Sequence, residues 1–143
     1  MKVFLSKSFA RRDRDLNAYF EGILRAVGVD VETADGYSDE PVAVKVERLL
    51  RACDFLVGIY VIRYEDNDTD QTLTSQWVMR ETYTVHGQGK AFIVLVEDGV
   101  DQLGGLDHDR ELIFFKRDDM HSIQDATIKF LQALRWHGIV DKR

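Results

Sequence analysis

The sequence predicts an α/β fold, a flavodoxin-like three-layer sandwich built on a five-stranded parallel sheet of order 2-1-3-4-5. Two patterns predict it. Short apolar runs such as Phe55 to Ile62 and Ala91 to Val96 alternate with segments whose apolar residues recur every three or four positions. A continuous apolar run suits a parallel strand covered on both faces, and strand–helix alternation with short loops calls for right-handed crossovers. The third observation is length: 143 residues suffice for one good core and not for two ordinary ones.

The elements follow in order. Val3-Phe4-Leu5 reads as the first strand. Leu16, Tyr19, Phe20, Ile23, Leu24 and Val27 then repeat at helical spacing, with Asp13 as the cap and Gly28 as the stop. Val29 to Thr33 is the second strand, Ala34 to Glu40 a polar loop, and Pro41 fits the first turn of a helix running through Cys53. Phe55 to Ile62 is the third strand, followed by the acidic stretch Arg63 to Thr74 and a helix from Ser75 to His86 that ends at Gly87-Gln88-Gly89. Ala91 to Val96 and Leu112 to Phe115 complete the sheet. Ile123 to Trp136 forms a last amphipathic helix on Ile123, Ile128, Leu131 and Leu134.

Composition narrows the function classes. A content of 45% hydrophobic and 31% charged residues with one proline excludes a disordered chain. The formal charge of −6 disfavours nucleic acid as a partner. Cys53 is the only cysteine, so no intrachain disulfide or multi-cysteine zinc site can form, and a reducing, cytoplasmic setting fits. The N-terminal apolar run is too short for a signal peptide, no later stretch reaches membrane-spanning length, and no membrane partner is expected. His86, His108, His121 and His137 show no ligand spacing and read as surface groups. Asp66, Asp68 and Asp70 fail the calcium-loop pattern at Gln71 and Trp77, and Gly104-Gly105 reads as a simple turn, so no metal is expected. The polar end Asp141-Lys142-Arg143 suits either a free terminus or the junction to a further domain.

In sheets of this topology ligands bind beyond the carboxyl ends of the strands. That rule selects Ser6 to Arg11, Thr33 to Pro41, Tyr60 to Ser75 and Glu97 to Gly105 as the rim of a pocket, with the Ser75 helix beside them. On this helix Trp77 and Glu81 are four apart and share a face, an aromatic plate one turn from a carboxylate. By spacing alone the pair reads first as a core tryptophan and a surface glutamate, because such pairs occur in many helices. Ser6, Ser8 and Arg11 offer hydroxyls and a guanidinium after the first strand, against a plain reading of capping and solvation. Phe9 is a stacking or packing residue, and Tyr37 a loop residue that lines the site or an assembly contact.

Over nearly its whole length the chain resembles the TIR (Toll/interleukin-receptor) family. Val3-Phe4-Leu5-Ser6 with Ser8 and Asp13 is similar to the family's opening strand and loop, and Cys53-Asp54-Phe55-Leu56-Val57 to its approach into the third strand. Ser75-Gln76-Trp77-Val78-Met79-Arg80-Glu81 resembles the Ser-x-Trp-Cys-x-x-Glu motif, whose glutamate is catalytic in NAD-cleaving members. Val78 in place of the common cysteine, Lys7 in place of a frequent aromatic, and the Ala34 to Pro41 loop point to a prokaryotic-like member.

The resemblance implies a hydrolase or cyclase that cleaves the nicotinamide–ribose bond of NAD+ and gives ADP-ribose or a cyclic product in immune or antiphage signalling. It implies Glu81 as the catalytic residue and NAD+ as substrate, with no separate cofactor. It also implies self-association through TIR–TIR contacts, greater activity when clustered, and a fused or separate sensor domain. Nicotinamide leaves a pyridinium neutral, so one carboxylate stabilising the ribosyl cation suffices, and Trp77 could stack on the charged ring. Two other functions share the fold: a non-catalytic TIR interaction module, and a nucleoside deoxyribosyltransferase-like enzyme that also acts on an N-glycosidic bond. A phosphoacceptor receiver domain is disfavoured, because no aspartate ends the third strand.

Overall fold

The computed structural model describes residues 2–34, 41–62, 81–82, 87–100 and 112–140. Five parallel strands form one sheet in the order β2-β1-β3-β4-β5, as the alternation of apolar runs and helices predicts. They are β1 (Lys2–Ser6), β2 (Asp30–Glu32), β3 (Phe55–Tyr60), β4 (Ala91–Glu97) and β5 (Leu112–Phe115). Helices α1 (Arg14–Ala26), α2 (Val42–Ala52) and α3 (Met120–Trp136) accompany them, and a 3-10 turn at Arg11–Asp13 leads into α1. Register pairs Val3 with Val31 on one side and with Phe55 on the other, Tyr60 with Val96, and Val94 with Leu112.

Strand residues alternate between two cores, because successive side chains leave a strand on opposite faces. Val3, Leu5, Val57, Ile59, Ile93 and Leu95 pack with Phe20 and Leu24 of α1 and Phe130 and Leu134 of α3. Phe4, Leu56, Tyr60, Val94 and Val96 pack on the other face with Val46, Leu49 and Leu50 of α2. Cys53 joins the second core, where burial pushes its thiol up to about 11 and leaves it a small apolar filler. No helix among the described residues is long and apolar enough to cross a membrane.

Several boundaries move for identifiable reasons. Gly28 stops α1 at φ 85°, and the amide of Val29 reaches back to the Leu24 carbonyl at 3.0 Å. Such a left-handed position suits glycine. Asp13 stands at the α1 cap position without a capping hydrogen bond, since its carboxylate is taken by Arg117 at 2.6 Å. Pro41 precedes α2 instead of lying in its first turn: its ψ is 142°, and its carbonyl accepts the first helical bond from Lys45. Helix α3 begins at Met120, three residues before Ile123, because Asp119 caps it by accepting from the Ser122 amide. Its inner face is Ala126, Phe130 and Leu134. Ile128 is 57% exposed, so the expected stripe is rotated away from that residue.

Candidate functional site

Two strand ends and one helical turn assemble the site. Ser6 closes β1 and continues the alternation of Phe4, so its side chain falls on the α2 face of the sheet. It stands in register with Gly58 of β3. A methyl group placed on Gly58 would meet Thr82 Oγ1 at 3.4 Å, so the Glu81–Thr82 helical turn lies on that same face, close over the strand. A methyl group would just fit there, so it is the lack of any larger side chain at position 58 that permits so near an approach. In a 2-1-3-4-5 sheet the crossovers reverse direction between β1 and β3, and crevices at such a reversal are where ligands bind. Glu81 is therefore beside the switch point of the sheet.

Its environment is unusual for a carboxylate. Glu81 is 7% exposed and Ser6 1%, and neither Glu81 Oε2 nor Ser6 Oγ has a hydrogen-bond partner among the described residues. Burial pushes the Glu81 pKa up from 4.5 to about 7, while the nearby Ser6 hydroxyl pulls it down. Ser6 thus favours the ionised carboxyl by proximity, although the two side chains form no hydrogen bond of ordinary length. A buried carboxyl with a spare acceptor and a pKa near neutrality is suited to act on a reacting group.

A cavity of about 310 Å³ opens between the chain after β1 and the flank of α1, the helix that packs on the other face of the sheet. Lys7, Phe9, Arg14, Asn17 and Glu21 are among its lining residues. Phe9 is 65% exposed there. Lys7 pairs with Glu21 at 3.4 Å, and the buried Asn17 holds the loop by donating from Nδ2 to the Ser8 carbonyl at 2.8 Å.

On the face of the sheet opposite Glu81, a buried cluster ties the strand ends together. Arg117, two residues past β5, donates through Nη2 to Asp13 Oδ1 at 2.6 Å and to Glu97 Oε1 at 3.0 Å, and through Nε to Glu97 Oε2 at 3.0 Å. Glu97 Oε1 also accepts from the Ile62 amide at 2.9 Å. One guanidinium and two carboxylates thereby fasten the chain leaving β1, β3, β4 and β5.

Of the residues expected from sequence, the structure brings Ser6 and Glu81 together and puts Phe9 at the cavity beside α1. Arg11 is exposed on the 3-10 turn and is not among the cavity's lining residues. Arg14 is the arginine that lines the cavity. Trp77 and Tyr37 lie outside the described residues, as do Asp66, Asp68, Asp70, His86, His108 and Gly104-Gly105. His121 is exposed as expected, but His137 is half-buried against the Phe55 ring at 5.0 Å between centroids. Sequence reasoning missed Arg14, Asn17 and Glu21, whose i, i+3, i+7 spacing marks one face of α1, and Gly58, for which no local signal existed.

No protein-family model matches the chain, and no curated protein matches it in sequence. Solved structures do. The CMP N-glycosidase BcmB of Clostridium botulinum is similar at 16% identity with a TM-score of 0.58, over 95% of this chain and 99% of that one. A 2-deoxyribosyltransferase of Bacillus psychrosaccharolyticus is similar at 16% identity with a TM-score of 0.55, over 87% of this chain and 91% of that one. At this identity the likeness establishes a shared flavodoxin-like fold.

Proposed function

We propose that this chain is an enzyme that breaks the N-glycosidic bond of a nucleotide or nucleoside, with Glu81 as its catalytic carboxylate. The observation that carries the reading is the buried Glu81 at the β1/β3 switch point, with an unpartnered oxygen and a pKa of about 7. The two similar structures, described as a CMP N-glycosidase and a 2-deoxyribosyltransferase, support the same bond type.

When the bond from sugar C1′ to the base nitrogen breaks, its electron pair leaves with the base and positive charge grows on the sugar. An ionised Glu81 stabilises that charge, or captures C1′ as a glycosyl ester. Water then supplies hydroxide to C1′, and its proton ends on the departed base, so that glycoside plus water gives sugar plus base. With a second base as acceptor, the ester is displaced and a new glycoside forms. NAD+ cleavage is the second reading, favoured by the Ser75 to Glu81 segment; the leaving group there is already cationic and needs no proton.

Product analysis by chromatography and mass spectrometry decides among them. The purified chain is incubated with CMP, with deoxycytidine in the presence and absence of adenine, and with NAD+. Free base with sugar phosphate supports hydrolysis, a new deoxynucleoside supports transfer, and nicotinamide release supports the second reading. If none of these substrates is cleaved, the enzymatic reading fails and the interaction-module alternative stands.

A further inference from the structure

The Ser6 and Glu81 side chains pose a problem that the cleavage reaction alone does not solve. Both are more than nine-tenths buried, and each presents an oxygen with no hydrogen-bond partner among the described residues. Leaving buried polar atoms unsatisfied is costly, so such atoms call for a bound group that completes them. The two requirements differ in kind. Ser6 Oγ has a proton to give and lone pairs to share, whereas an ionised Glu81 Oε2 can only accept. One hydroxyl serves both at once, accepting from Ser6 and donating to Glu81. An ammonium cannot accept from Ser6, and a fully ionised phosphate or carboxylate cannot donate to Glu81.

We infer that Ser6 Oγ and Glu81 Oε2 together hold the 2′-hydroxyl of the substrate sugar, so that the enzyme takes ribosides in preference to 2′-deoxyribosides. The inference rests on the N-glycosidic reading above and specifies its sugar. The 2′-carbon is bonded to C1′, the atom at which Glu81 acts, so a carboxylate that reaches C1′ with one oxygen has its other oxygen beside the 2′-hydroxyl. Hydrogen bonds to the hydroxyl next to the anomeric carbon strengthen as charge develops, which makes this contact worth more in the transition state than in the bound substrate. A 2′-deoxy sugar offers Ser6 and Glu81 no such hydroxyl, and sites built to bond a substrate hydroxyl discriminate strongly against analogues that lack it. Ser6 is thus the specificity-determining residue, separate from the charge that Glu81 supplies.

The test compares kcat/KM for CMP and 2′-deoxy-CMP, read as cytosine release, in the wild type and in Ser6→Ala at matched thermal stability. The wild type should favour CMP by about a hundredfold or more, on the order expected when a buried polar site loses its partner. Ser6→Ala should lose about tenfold or more on CMP beyond whatever it loses on the deoxy substrate, so the ratio contracts. A merely structural role for Ser6 would lower both rates alike and leave the ratio intact, which overturns the assignment. Should Ser6→Ala fold poorly, Ser6→Cys keeps the volume with a weak donor and should show the same contraction. Equal rates on the two sugars in the wild type, or a preference for the deoxy sugar, refute the inference while leaving N-glycosidic cleavage standing. Cleavage of neither substrate, nor of NAD+, removes the parent reading and this one with it.

Discussion

At the scale of single residues, Glu81 combines an ordinary amino acid with an uncommon place. Glu81→Gln keeps the size of the side chain and removes its charge, so turnover should fall about a hundredfold or more, roughly 3 kcal/mol of transition-state stabilisation, with little loss of fold. Rates of base release at matched stability check this, and equal rates would take Glu81 out of the mechanism. Ser6 tunes the same carboxyl. Because its hydroxyl lowers the Glu81 pKa, Ser6→Ala should move the acid limb of the pH–rate profile above the wild-type midpoint of about 7. An unmoved limb would mean that the hydroxyl does not act on the charge. How much of this was legible differs by residue. Glu81 was readable because a carboxylate one turn from a tryptophan sits where the topology puts ligands. Ser6 was readable because it ends an apolar strand. Arg11 stands exposed on a 3-10 turn, which leaves no periodic signature over so few residues, and Arg14 is the arginine that lines the cavity beside α1.

At the scale of elements, the strands were legible from apolar runs alone, while helix ends were decided by contacts between distant residues. Asp13 looks like a cap in sequence and is an ion-pair partner of Arg117, 104 residues away, in the fold. No local pattern encodes that. The Arg117 cluster has a measurable consequence. Arg117→Met strips the cation from two carboxylates that are 2% and 5% exposed, and should cost about 3–5 kcal/mol in denaturant unfolding. Adding Asp13→Asn and Glu97→Gln to that variant should recover much of the loss, because the residual cost is that of unpaired buried charge. Failure to recover would indicate that the cluster works through packing. Gly58 makes the second element-level prediction. Its Cβ position meets only ordinary contacts of 3.4 to 3.6 Å, so Gly58→Ala should be nearly neutral. Gly58→Val drives a branched side chain into Thr82 and should cost about 1–3 kcal/mol, with a larger proportional loss of activity as Glu81 is lifted from Ser6. Activity that simply tracks stability would argue that the Glu81 turn is not seated through this glycine.

At the scale of the whole molecule, the two cores on opposite faces of one sheet make the site's protonation a property of global stability. Glu81 titrates at 4.5 when unfolded and at about 7 when folded. Between those values the native state holds a proton that the unfolded chain has released, so stability falls as pH rises through this window. The group's favourable contribution is fully present below pH 4.5 and lost by the time pH passes about 7. A separation of this size corresponds to about 3 kcal/mol. Glu81→Gln carries no titrating group there, and other groups, His137 among them, titrate alike in both proteins and cancel in the comparison. The stability of wild type minus that of Glu81→Gln, measured by urea unfolding from pH 4 to pH 8, should therefore decline by up to about 3 kcal/mol and then level off. The proposed catalysis runs the other way, since the ionised carboxyl that destabilises the fold is the form that would stabilise a sugar cation. The activity should rise over the same interval in which the stability difference falls. A flat stability difference alongside a rising rate would place the kinetic pKa on another group, and a stability difference that grew with pH would show that Glu81 is held in the folded protein as a stabilised anion.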